Sequence, residues 1–165
     1  MEDFPLAELG RKTLRSFRRL EKSYSVLHAR LERALKAEGL PPLLWLRALE
    51  EVARRGADGV RPFELQDALD LEQPAVSRLL EKMVLAGLLS RTECVDDRRG
   101  WRVEATQPGQ ETRARMAEVY EAALSAHFLA HLGEKQARTL DEILGDLLDA
   151  RHERLRPGLR RLQRR

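Results

Sequence analysis

Residues 71–83 read LEQPAVSRLLEKM. Val76, Leu79, Leu80 and Met83, with Val84 just beyond, recur at steps of three and four, which puts them on one side of a helix from Gln73 to about Ala86. Pro74 falls in the first turn, where its missing N–H has no intrahelical partner to lose. The other side opens with Gln73, Pro74, Ala75, Ser77 and Arg78, small, polar or cationic groups at the N-terminal end of a helix anchored from behind. Such a helix is fixed by its apolar side and offers its first turns to a partner.

Upstream, Pro62 to Leu69 reads as a short helix, separated from the first by Asp70, Leu71 and Glu72. Downstream, Leu88–Val95 and Trp101–Ala105 alternate and are β-branched, and the polar connector Asp96, Asp97, Arg98, Arg99, Gly100 ends in glycine, as in a β-hairpin. Helix, tight turn, helix and hairpin make a winged helix-turn-helix. One helix fits the DNA major groove and presents side chains to base edges, while the hairpin reaches the neighbouring groove. Arg98 and Arg99 at the hairpin tip are long cations suited to a narrow minor groove. An arginine pair in a turn is by itself a solvated surface feature, and its place between these strands gives it a role.

The flanks are helical. Leu14, Phe17, Leu20, Tyr24, Leu27, Leu31 and Leu35 share one face of a long helix that stops at Gly39, with Pro41 and Pro42 beyond. A second helix, Pro42 to Arg55, buries Leu43, Leu44, Leu46, Leu49 and Val52, and residues 56–59 (GADG) form a turn. Thr106, with Pro108 and Glu111 behind it, opens a helix to about Leu132 that Gly133 closes. A last helix from Glu134 carries Leu140, Ile143, Leu144, Leu147 and Leu148 on one face and runs to Pro157 and Gly158. The fold class is therefore mainly α: a winged helix-turn-helix at 41–106, an N-terminal helix within 1–40, C-terminal helices at 107–155 and an arginine-rich tail at 156–165. The apolar faces of the terminal helices would be exposed in a monomer.

Over 165 residues, Lys+Arg 30 against Asp+Glu 27 gives a formal charge of only +3, but the charge is segregated. Residues 1–9 hold three acids and no base, residues 10–22 six bases and one acid, and residues 151–165 seven arginines and one glutamate. Residues 103–150 are acidic, and residues 74–102 are weakly basic. With 42% hydrophobic and 5% aromatic residues, the composition suits a soluble helical protein without a large aromatic cofactor pocket. No apolar run approaches the ~20 residues of a membrane span, the first ten residues hold acids where a secretory leader has bases, and a single cysteine excludes an internal disulfide. These point to the cytoplasm, with no membrane partner.

At these residues the chain resembles the MarR family of bacterial transcription regulators. Residues 71–83 are similar to its recognition helix, residues 94–109 (CVDDRRGWRVEATQPG) to its wing and the Thr-x-x-Gly start of the next helix, and the Asp-x-Arg wing signature falls on Asp97 and Arg99. The resemblance extends from about residue 10 to 150. It implies a homodimer with interlocked terminal helices, carrying two winged domains onto double-stranded DNA at a pseudo-palindromic operator. In that pattern Arg99 enters the minor groove, Asp97 orients it by a charge-assisted hydrogen bond, and Ser77 and Arg78 lie in the major groove or on its phosphates. It also implies repression of nearby genes, relieved by a small phenolic or other aromatic effector or by an oxidant. Three positions depart from the pattern: Phe63 where a capping hydroxyl is frequent, Gln66 where alanine is usual, and Glu72 where a small hydroxyl residue often meets phosphate.

Other residues carry two readings each. Tyr24 and Trp45 line an effector pocket between the lobes, or serve as core or dimer contacts. His127 and His131, spaced i, i+4, make half a zinc site or a helix-packing pair; no further ligands are evident, so no metal is expected. Cys94 on a wing strand reads as a small packed residue rather than an oxidant sensor, and Trp101 as packing the wing onto the helical body. The arginine tail touches DNA phosphate, or complements the acidic segment 103–150. No nucleotide-binding loop, HExxH helix or GxSxG elbow is present, so neither an enzyme, a catalytic residue nor a cofactor is expected. The alternative function is a winged-helix module for protein–protein contact without sequence-specific DNA binding.

Overall fold

The structure, a computed structural model, describes residues 11–56, 59–93 and 101–154. Six α-helices and two strands follow in the order α1 (Arg11–Ala37), α2 (Leu43–Arg55), α3 (Glu64–Leu69), α4 (Gln73–Leu85), β1 (Leu89–Glu93), β2 (Trp101–Ala105), α5 (Gln107–His127) and α6 (Glu134–Arg154), with a 3₁₀ turn at Leu129–His131 before α6. The chain divides into two compact units, one ending at Leu124 and the other beginning at Ser125. Among the described residues no helix is long and apolar enough to cross a membrane.

Helix α1 is about 40 Å long at 1.5 Å per residue. It ends where Gly39 takes a positive φ of 68°, which lets the Leu40 N–H reach the Leu35 carbonyl at 3.0 Å. Helix α2 begins after Pro42, which has no side-chain cap to give. The first N–H is satisfied instead from α1, where Glu32 Oε1 accepts from the Leu43 N–H at 3.1 Å.

Two apolar clusters share α2. Leu43 and Leu46 join Leu31 and Leu35 of α1 and Met116 and Ala123 of α5. One turn on, Ala48, Leu49 and Val52 join Val60 of the segment before α3, Leu65 and Leu69 of α3, Val76, Leu79, Leu80 and Met83 of α4, and Leu88, Leu89 and Val103 at the hairpin. The second cluster is the core of the winged domain, and it holds α4 by the four side chains that the sequence periodicity selects.

β1 and β2 are antiparallel, in register from Leu89↔Ala105 to Glu93↔Trp101. A third segment adds one bridge: Val60 and Val103 exchange both backbone hydrogen bonds at 2.9 Å. Gly59 makes this possible. Its φ is +63°, and a Cβ there would lie 3.2 Å from Arg102 Cβ, Glu104 Cγ and the Val103 carbonyl.

Two elements differ from the sequence reading. The first short helix starts at Glu64 and not Pro62, because the Glu64, Leu65 and Gln66 N–H groups bond three residues back to Arg61, Pro62 and Phe63, making a tight turn before the α-helix proper. The helix that opens at Thr106 ends at His127 rather than about Leu132. Phe128 adopts φ −125°, ψ −61°, and the chain tightens into the 3₁₀ turn. His127 and His131 therefore do not share one α-helix, and both are exposed rather than packed.

Candidate nucleic-acid interface

Helix α4 stands on a turn built from backbone. The Leu71 N–H reaches back to the Gln66 carbonyl at 3.0 Å, and Asp70 takes the left-handed conformation (φ 55°, ψ 45°) that aspartate tolerates better than most residues. Glu72 is extended (φ −69°, ψ 150°), the geometry of an N-cap, but its side chain makes no capping bond; its carbonyl accepts from Ala75 and Val76. Phe63, the other departure near a helix start, is 59% exposed and also caps nothing. There the work is done by Glu64, whose Oε2 accepts from the Arg61 N–H at 2.8 Å while its Oε1 accepts from Arg55 at 3.0 Å. Gln66 is half-buried, and its carbonyl receives the chain as it leaves α3.

Of the residues expected at the interface, Gln73, Pro74 and Arg78 are exposed, while Ala75 and Ser77 are half-buried at the flank. Continuing the helical step beyond Arg78, the outward face also carries Glu81, Lys82 and Leu85, the last 88% exposed. These three lie beyond the residues expected from the sequence, and the i+4 spacing from Arg78 to Lys82 is the signal for them. Asp97, Arg98, Arg99 and Cys94 lie outside the described residues, as does the tail from 155.

The strands that lead to the wing tip are described. Trp101 packs against the winged core as expected. Its partner was not expected from the sequence: the Arg91 guanidinium lies over the Trp101 ring, 4.5 Å from the centroid. Period-two alternation places both on one face of the hairpin and was the signal that could have found them. On the opposite face Arg102 Nη1 donates to the Gly59 carbonyl at 3.2 Å.

Thr106 explains the Thr-x-x-Gly motif. Its Oγ1 accepts from the Gly109 N–H at 3.1 Å, capping α5, and donates to the Gly87 carbonyl at 2.6 Å, while its own N–H donates to Leu88 O at 3.1 Å. Gly109 must be glycine for a steric reason, since a Cβ there would sit 2.0 Å from the Leu88 carbonyl oxygen.

Among the described residues, Tyr24 and Trp45 share no packing cluster. Trp45 is half-buried against the winged core, whereas Tyr24 is 58% exposed on α1 with its ring 5.7 Å from His28. Among the described residues, no three His, Cys, Asp or Glu side chains come together as metal ligands.

The model of the MarR family matches residues 38–100, from the turn after α1 through α2, α3, α4 and β1 to the residue before β2. Over a longer span the chain is similar to AbsC, a MarR family transcriptional regulator from Streptomyces coelicolor, with 26% identity, a TM-score of 0.79, and coverage of 88% of this chain and 97% of AbsC. Residues 38–100 thus carry the likeness to the MarR family, and over most of its length the chain is similar in fold to a regulator of that family. Members of the MarR family are transcription regulators and not enzymes. The same fold recurs in Sco3205, a MarR family regulator from Streptomyces coelicolor in complex with DNA (21% identity, TM-score 0.83, 90% of this chain and 92% of that one). It recurs again in a mutant MarR from E. coli complexed with operator DNA (20%, 0.73, 86% and 99%).

Proposed function

We propose that this protein is a DNA-binding transcriptional repressor of the MarR family that engages a pseudo-palindromic operator as a homodimer. Gln73, Pro74, Ala75, Ser77 and Arg78 at the start of α4 meet the major groove. Arg98 and Arg99 meet the minor groove, with Asp97 orienting Arg99. The observation that carries this reading is the division of α4: Val76, Leu79, Leu80 and Met83 are locked in the core, while the first turns of the opposite face stand in solvent with their polar groups free to meet a partner. The DNA complexes of Sco3205 and E. coli MarR, which share the fold, add support.

The dimer is supported by two unpartnered apolar faces. The stripe on α1 is buried at Leu31 and Leu35 but exposed at Leu14, Phe17, Leu20 and Tyr24. On α6, Ile143, Leu147 and Leu148 are each more than half exposed. A second copy covering both faces removes this surface from water. Light scattering is expected to give twice the 19.0 kDa chain mass, and a monomer at micromolar concentration overturns the dimer. Release by a small phenolic or other aromatic effector completes the reading. It is checked by titrating phenolic acids into the preformed DNA complex.

The test is selection of bound duplexes from a random pool, followed by gel shift with wild type and Arg99→Ala. An enriched inverted repeat whose binding is lost in Arg99→Ala, with helicity and dimer mass unchanged, is the expected result. No enriched sequence points to the protein–protein module, and undiminished binding by the variant removes the wing from the interface.

A further inference from the structure

We propose that Arg91 and Trp101 are the positioning residues of the wing: their stacked contact across the outer part of the described hairpin holds the two strands to the body and so sets how the wing is aimed. The proposal rests on the DNA-binding reading above and deepens it, because a cation can enter a minor groove only if the hairpin aims it there.

The hairpin is braced unevenly along its length. At Val103 it has three strands, since Val60 pairs on the far side, but that pairing is a single bridge. From there to Glu93↔Trp101 the described sheet has two strands, and a two-stranded hairpin is marginal in water by itself. Backbone pairing alone leaves the outer part free to twist.

Side chains supply the brace. Arg91 and Trp101 lie on the same face as Leu89 and Val103, the face turned to the core. Arg91 is paired in register with Val103, and Trp101 with Glu93, so the 4.5 Å cation–π contact runs diagonally across the ladder. A diagonal contact resists the shear of one strand past the other, which is the motion that swings a hairpin tip sideways. Trp101 in turn packs on the winged core, and with Glu81, Val84, Leu85 and Arg91 it lines a cleft of about 320 Å³ between the end of α4 and the hairpin. The chain of contacts thus runs from α4 through Trp101 to Arg91, tying both strands to the helix that reads the major groove. Arg99 is two residues from Trp101 along the chain. The Arg102 bond to the Gly59 carbonyl secures the other face of β2 without reaching α4.

Because Arg91 is exposed, its removal leaves the buried core intact, and it is the residue to test. Arg91→Met keeps the stem and removes the cation; Arg91→Lys keeps a cation. The first measurement is the mobility of a spin label attached at position 99 (Arg99→Cys in a Cys94→Ser background), with and without Arg91→Met. The second is the affinity of each Arg91 variant for the selected duplex, with Arg99 present and with Arg99→Ala. Arg91→Met is expected to mobilise the label and weaken binding about two- to fivefold, the range of an exposed cation–π contact, when Arg99 is present. In the Arg99→Ala background the same change is expected to cost less than about 1.5-fold, and Arg91→Lys to restore most of the loss. Unchanged label mobility overturns the proposal. So does an equal loss of affinity with and without Arg99, which marks Arg91 as a plain phosphate contact. If the wild-type protein selects no duplex, the DNA reading itself has failed, and label mobility alone then decides whether the stack holds the wing.

Discussion

Replacing Thr106 by valine keeps the shape of the side chain and removes one oxygen, and that oxygen sits at the joint between the hairpin and α5. It receives the Gly109 N–H at 3.1 Å and gives its proton to the Gly87 carbonyl at 2.6 Å. Losing a helix cap costs about 1 kcal/mol, and losing a second hydrogen bond about another 1 kcal/mol, for a total of roughly 2 kcal/mol. In a chain of this size each kcal/mol lowers Tm by about 2–4 °C, so Thr106→Val is expected to melt about 4–8 °C below wild type. Thr106→Ser keeps both bonds and is expected to lose well under half of that. The assay is thermal unfolding followed by circular dichroism, with all three proteins at one concentration because the Tm of a protein that associates depends on it. Valine melting with the wild type, or serine melting with valine, would show that the hydroxyl does not fasten this joint.

Gly109→Ala is expected to be more damaging, by at least about 3 kcal/mol, because the 2.0 Å approach is to a backbone oxygen that cannot rotate away; loss of the soluble fraction or a collapsed Tm checks it. Glu72→Ser adds the cap that α4 lacks, worth about 1 kcal/mol, and gives up part of that in the favourable interaction of glutamate with the helix dipole, so a net gain of about 0.5 kcal/mol is expected by urea unfolding. The same change removes an acid beside the reading face and is expected to tighten binding to mixed-sequence DNA at low salt. Phe17→Asp places a charge in the exposed stripe of α1 and is expected to halve the mass seen by light scattering; as two heads become one, operator affinity falls by about 10²-fold or more.

Much of this architecture is legible in the sequence because the signals are local. The apolar side of α4 is four residues at helical steps, β2 is bounded by Trp101 and Ala105 in both readings, and Thr106 and Gly109 declare a helix start. What escaped depends on partners distant in the chain. Val60 pairs as a single residue, which leaves no alternation to read. The cap of α2 comes from Glu32, eleven residues upstream. The end of α5 at His127 has neither glycine nor proline to announce it. At the candidate interface the helix is legible and its full outward face is not: Lys82, Leu85 and the Arg91–Trp101 stack belong together only once the hairpin is folded onto α4.

The charges on that outward face constrain the proposed DNA complex. Arg78 and Lys82 are opposed by Glu72 and Glu81, all exposed, so α4 brings almost no net attraction to a polyanion. Long-range attraction in one head must then come from the wing, and a single head with two wing arginines is a weak DNA binder. In the proposed dimer two heads are held together, which raises affinity by effective concentration without adding charge. If Arg78, Lys82, Arg98 and Arg99 of each head all meet phosphate, a dimer neutralises about eight. The slope of log K against log salt should then be no steeper than about −7. A slope beyond that value, falling back when residues 156–165 are removed, would assign the excess to the arginine tail. One that stays steep without the tail would point to the bases at the start of α1, and would refute the view that placed arginines in the reading heads carry the electrostatics.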